Sequence, residues 1–158
     1  MRLPSIYIET TIFNFPFVDY APDYKADTLK LFEEIKRGKF KPYTSDFVVE
    51  ELKNTKNEEK LTKMITLLRD CGASVLQPND EVRELAAFYV KAGVIPIKYF
   101  SDALHIATAT VFKIDIIVSL NFEHIVKHKT IAQTEAINAG LGYGRVYIHT
   151  PAEVISHE

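Results

Sequence analysis

Several kinds of residue and pattern are scarce in this 158-residue chain. There is a single cysteine, Cys71, so no intrachain disulfide can form and no multi-cysteine zinc site is available. No apolar run approaches the ~20 residues of a membrane helix. The first residues, MRLPSIYIET, lack the apolar stretch of a secretion signal, because Glu9 interrupts it. Neither sign of charge dominates: 19 basic and 21 acidic residues leave a net charge of −2. That balance does not advertise nucleic-acid binding, although it permits a local basic patch. Repeats, low-complexity tracts, a Walker A loop and a Gly-x-Ser-x-Gly elbow are also missing. These absences predict a single reduced, cytoplasmic domain over residues 1–158.

What is present alternates between strand and helix patterns. Ser5–Glu9, Phe40–Thr44, Ala73–Leu76, Asp115–Ser119 and Arg145–His149 read as short strands rich in β-branched and aromatic residues. Thr10–Pro22 reads as a loop with at most a short turn. Helices are predicted from Asp23 or Asp27 to Arg37, from Ser45 to Lys53, and over Glu58–Asp70. Leu29, Phe32 and Ile35 form the inner face of the first, and Leu61, Ile65 and Leu68 that of the third. Further helices run from Asn79 or Asp80 to Ala92, from Ser101 to Phe112 and near Ile131–Ala139, with a helical turn around His124 and a short helix after Thr150-Pro151. Strands separated by helices predict a three-layer α/β/α fold around a parallel sheet of four to five strands. In such sheets ligands bind beyond the C-terminal strand ends.

The strand ends therefore hold the candidate chemistry. The first strand ends in Glu9-Thr10-Thr11, and the helix after the second carries Glu50 and Glu51. Ser101-Asp102 opens a helix with His105 one turn on, and the fourth strand ends in Ser119-Leu-Asn121. Hard carboxylate and amide oxygens suit Mg²⁺ or Mn²⁺, and such an ion suits phosphodiester hydrolysis. Glu9 directly follows Ile-Tyr-Ile, where an unpaired carboxylate would cost several kcal/mol to desolvate, on the order expected for buried charge. The plainer readings are a first-turn acid for Asp102, a satisfied core histidine for His105 and a turn residue for Asn121. His124 and His128 share helical spacing but no HExxH pattern. Gly140-Leu-Gly142-Tyr-Gly144 precedes a strand, so it reads as a helix end and turn rather than a phosphate loop.

IYIETTIFN, TSDFVVEELKN, SDALHIATA and IIVSLNFEHI, in that order, resemble the motifs of the PIN-domain family, in particular its VapC-type ribonuclease toxins. The closing YIHTPAEVI is similar as well. The resemblance selects Glu51 over Glu50 and implies a Mg²⁺- or Mn²⁺-dependent endoribonuclease. In that reading Glu9, Glu51 and Asp102 hold the metal, Asn121 orients a water or a weaker second ion, and Thr10, Thr11 and Ser119 bind carboxylates or phosphate, with His105 behind them. It also implies RNA as substrate, a homodimer and a small antitoxin partner. Two departures stand out: Glu9 replaces the usual Asp, and Asn121 replaces a fourth acid. A catalytically weak or inactive module that binds nucleic acid or protein, and a metal-dependent phosphatase, are the competing readings. Lysines 53, 56, 60 and 63, together with 91, 98, 127 and 129, are candidate RNA-backbone contacts. The aromatics of Phe13–Tyr24 are candidates for base stacking, core cover or a dimer contact.

Overall fold

A computed structural model describes residues 2–157. Five parallel strands form one sheet: β1 (Ser5–Ile8), β2 (Lys41–Ser45), β3 (Ser74–Leu76), β4 (Ile116–Val118) and β5 (Tyr147–His149), in the order β3-β2-β1-β4-β5. Helices flank it in an α/β/α arrangement. The helices are α1 (Thr10–Asn14), α2 (Pro22–Lys36), α3 (Asp46–Lys53), α4 (Glu58–Asp70), α5 (Asp80–Lys91), α6 (Phe100–Val111), α7 (His128–Gly140) and α8 (Pro151–Val154). No helix among the described residues is long and apolar enough to cross a membrane.

β1 is central, and Ile6, Tyr7 and Ile8 are fully buried, as expected of a strand covered on both faces. The chain first builds outward on one side of it, through β2 to β3. It then crosses by α5 and α6 to β4 on the other side. The strand order therefore reverses between β1 and β4, which register Ile6 on Ile116 and Ile8 on Val118. That reversal opens a crevice where ligands bind in open α/β sheets.

The core also corrects parts of the sequence reading. Thr10–Asn14 is a helical turn followed by a 3₁₀ segment at Phe15–Phe17, not a loop, because Glu9 caps it through the Thr11 amide. Leu29 is exposed; Thr28, Leu31, Phe32 and Ile35 form the inner face of α2. Met64 joins Leu68 as the buried pair on α4, while Leu61 and Ile65 pack at the margin. Phe13 belongs to the core, and Phe15 and Phe17 pack half-buried against it. The segment around His124 forms the expected helical turn, with Ile125 N bonded to Asn121 O at 3.1 Å. Gly142, in the left-handed region at φ +84°, closes α7, in keeping with the helix-end reading of that glycine cluster.

Candidate active site

The end of β1 delivers Glu9 into the β1/β4 crevice. Its amide still pairs with Val118 O (3.2 Å), so the ladder carries the backbone one residue past the strand. The Glu9 side chain is 2% exposed at residue level, and three donors converge on Oε1: Thr11 N (3.2 Å), Thr11 Oγ1 (2.5 Å) and Ser119 Oγ (2.7 Å). Ser119 Oγ accepts from Asn121 N (3.0 Å), and Thr11 Oγ1 accepts from Leu120 N (2.8 Å). The tight turn after β4 is thus tied to the tight turn after β1. Asn121 then spans outward. Its Nδ2 donates to Asp102 Oδ1 (3.1 Å), and its Oδ1 accepts from His124 N (3.0 Å).

Glu51 approaches from α3. Its Oε1 accepts from Thr10 Oγ1 (2.6 Å) and bonds His105 Nε2. His105, fully buried on α6, meets the Tyr7 hydroxyl through Nδ1 (2.6 Å), and that hydroxyl also bonds Ser45 Oγ (2.6 Å). A buried relay thus runs from Ser45 through Tyr7 and His105 to Glu51. Every residue proposed from sequence, namely Glu9, Thr10, Thr11, Glu51, Asp102, His105, Ser119 and Asn121, falls in these two connected networks. Glu50 points to solvent. Tyr7 and Ser45 escaped the sequence reading, since a tyrosine inside an apolar strand and a serine at a helix cap both look structural.

The electrostatics set the acids apart. Burial raises Glu9 above the usual carboxylate pKa, with the charge of Glu51 adding to it; His105, Thr11 and Ser119 offset only part. Burial likewise raises Asp102 despite His105, Asn121 and His124 nearby. Burial acts on Glu51 too, but the hydrogen bond and charge of His105, with Thr10 and Ser101, outweigh it and hold that carboxyl low. Burial would lower His105; its bond to Glu51 and the charges of Glu51, Glu9 and Asp102 raise it instead. The charges of all three acids thus act on His105 and favour its protonated form.

In kind, three carboxylates and an amide oxygen match the hard donors that Mg²⁺ or Mn²⁺ takes. In arrangement, Glu51 is engaged with His105, and no three His, Cys, Asp or Glu side chains among the described residues are gathered so that they could hold an ion. A separate concavity of about 570 Å³ beside α2 pairs Glu33 with Arg37 and Glu34 with Lys39, and its Lys30 donates to the Ser156 carbonyl. No known family model matches the sequence, and no curated protein matches it.

Proposed function

We propose that the chain is a divalent-metal-dependent endoribonuclease that hydrolyses RNA phosphodiester bonds, working in the cytoplasm as the homodimeric toxin of a toxin–antitoxin pair. The observation that supports the reading is that the charges of Glu9, Glu51 and Asp102 all act on His105 near the strand-order reversal, with Asn121 bonded to Asp102. The four motifs that resemble the PIN-domain family supply the same residues.

Glu9, Glu51 and Asp102 are the donors this reading assigns to the ion, and bringing all three onto it would require them to move closer than they stand here. When bound, it neutralises charge on the phosphate and makes water a stronger nucleophile. The protein's own groups position these acids. Thr11 and Ser119 fix Glu9, Thr10 and His105 fix Glu51, and Asn121 holds one oxygen of Asp102.

A weak or inactive PIN-like module that binds nucleic acid or protein is the second reading. The pairing of Glu51 with His105 and the amide at position 121 favour it.

Cleavage of a labelled RNA across a Mn²⁺ titration tests the proposal. Glu9→Gln and Asp102→Asn should each abolish divalent-dependent cleavage while the circular dichroism spectrum stays native. Cleavage that persists in both variants after stringent purification would show that these residues are not the site.

A further inference from the structure

Tyr7 and Ser45 lie behind the acids, yet their hydroxyls lead into them. Tyr7 on β1, Ser45 at the end of β2 and His105 on α6 are all fully buried. Ser45 stands at the N-cap of α3 but makes no cap bond; its hydroxyl meets that of Tyr7 at 2.6 Å instead. The Tyr7 hydroxyl reaches His105 Nδ1, also at 2.6 Å, and the two rings lie 5.7 Å apart. His105 Nε2 meets Glu51 Oε1, to which Thr10 Oγ1 also donates at 2.6 Å.

What each group can give fixes the protons along this chain. A hydroxyl has one proton to donate and can accept as well. If Tyr7 donates to Nδ1, it accepts from Ser45, and the ring proton sits on Nε2. If Nδ1 carries a proton too, Tyr7 accepts from it and donates to Ser45, and Nε2 still carries one. A bare Nε2 would set its lone pair against an acceptor-only carboxylate. Both workable arrangements therefore aim Nε2–H at Glu51, whatever the charge on the ring, and Tyr7 decides which way the ring faces. Glu51 is thus tied to α6 and to α1 at once. Glu9 is tied elsewhere, to Thr11 and Ser119, and Asp102 to Asn121. Among the described residues no three acids are gathered on one point, so closing them on an ion strains or breaks the bonds that hold Glu51.

We infer that Ser45, Tyr7 and His105 form a restraint that holds Glu51 back from a divalent cation, with Tyr7 as the positioning residue that sets the ring. The inference rests on the ribonuclease reading for its cation and names what regulates that same site. It has a consequence that a purely structural network lacks. Loosening the restraint leaves a buried ring nitrogen without its partner, which lowers stability, and at the same time frees Glu51, which tightens metal binding.

The test pairs imidazole NMR on the metal-free protein with calorimetric titration by Mn²⁺. In the wild type the His105 ring proton should sit on Nε2 and exchange slowly with water; in Tyr7→Phe it should exchange faster. Tyr7→Phe should melt lower than the wild type yet bind Mn²⁺ at least ~3-fold tighter, the low end of coupling within one hydrogen-bond network. Ser45→Ala, which keeps the contact between Tyr7 and His105, should shift both quantities the same way by less, and it stands in if Tyr7→Phe does not fold. In a Glu51→Gln background Tyr7→Phe should leave Mn²⁺ affinity unchanged. A bare Nε2 in the wild type would overturn the restraint. So would unchanged or weaker Mn²⁺ binding by the folded variants, or a gain that survives Glu51→Gln. Wild-type RNA cleavage alongside Tyr7 and Ser45 variants of unaltered Mn²⁺ affinity would overturn the restraint and leave the ribonuclease reading standing. A gain in Mn²⁺ affinity with no RNA cleavage at any Mn²⁺ concentration would sustain the restraint and overturn the ribonuclease reading.

Discussion

Among the described residues three carboxylates, Glu51, Asp115 and Glu153, lie below their ordinary pKa, and the first two do so for unlike reasons. Glu51 is held down by His105 inside the crevice. Asp115 sits at the other end of β4, and there burial is outweighed by Arg2, which bonds both its oxygens at 3.0 Å, and by the amide (2.8 Å) and hydroxyl (3.1 Å) of Ser5. It staples the start of β1 to the start of β4. Its folded pKa is depressed, so its contribution to stability is present above the unfolded value near 4 and is lost as pH falls through the folded value. Asp115→Asn should lower stability by about 1 kcal/mol at pH 7 and flatten the loss of stability below pH ~4. Urea midpoints measured from pH 7 to pH 3 check this, and parallel pH profiles for the two proteins would refute it. At this scale the sequence was informative only where a residue conflicts with its surroundings. Glu9 after Ile-Tyr-Ile is such a conflict, and its burial at 2% exposure bears that out. Tyr7 and Asp115 present no local conflict, and their partners lie tens of residues away in the chain, so nothing nearby points to them.

Helix caps show how the same residue position does different work in different elements. Asn79 caps α5 in the ordinary way, accepting from Val82 N at 3.0 Å. Ser45 occupies the equivalent position on α3, but its hydroxyl makes no cap bond and turns to Tyr7 at 2.6 Å. Asn79→Ala should therefore cost about 1 kcal/mol, with Asn79→Ser recovering most of it, since either side chain can accept from the second or third helical amide. Chemical denaturation of the three proteins gives the comparison; an alanine variant as stable as the wild type would show that the cap carries no energy. Element boundaries were readable where such signals are local. Glu58–Asp70 is bounded by Asn57 before it and Gly72 after it, and the helix falls at those limits. α1 was not readable, because Thr-Thr-Ile-Phe-Asn is too short and too β-branched to suggest a helix. It forms because Glu9 and the packing of Ile12 and Phe13 hold it. The inner face of α2 was misplaced for a related reason. Leu29 looks like a core residue by type, yet Thr28 takes the buried position by satisfying its hydroxyl on Tyr24 O at 2.7 Å.

For the whole molecule, alternation of strands and helices was enough to give a parallel sheet, but not the order in which the strands lie. That order depends on which side of β1 each crossover returns to, and it creates the crevice between β1 and β4. Asn121 stands at this crevice donating to Asp102 and accepting from the His124 amide, so its chemistry bears on the stability of the entire fold. Asn121→Asp keeps the acceptor for His124 N and replaces the donor facing Asp102 with a second carboxylate. A like-charge pair at ~4 Å is worth on the order of several kcal/mol at an effective dielectric near 20, before proton uptake and relaxation relieve it. In EDTA the variant should therefore melt lower than the wild type, by ~2–4 °C for each kcal/mol that remains. On the proposed metal site Mn²⁺ should reverse the sign of the effect, because an ion bound to the folded state alone stabilises it by RT ln(1 + [L]/Kd), and an added carboxylate would tighten Kd. Each tenfold gain in affinity adds about 1.4 kcal/mol at saturating ion. Melting curves of both proteins over a Mn²⁺ series should thus start with the variant below the wild type and show the larger metal-induced rise for the variant. If the two proteins rise by the same amount, Asn121 serves only the turn after β4 and lies outside any metal site.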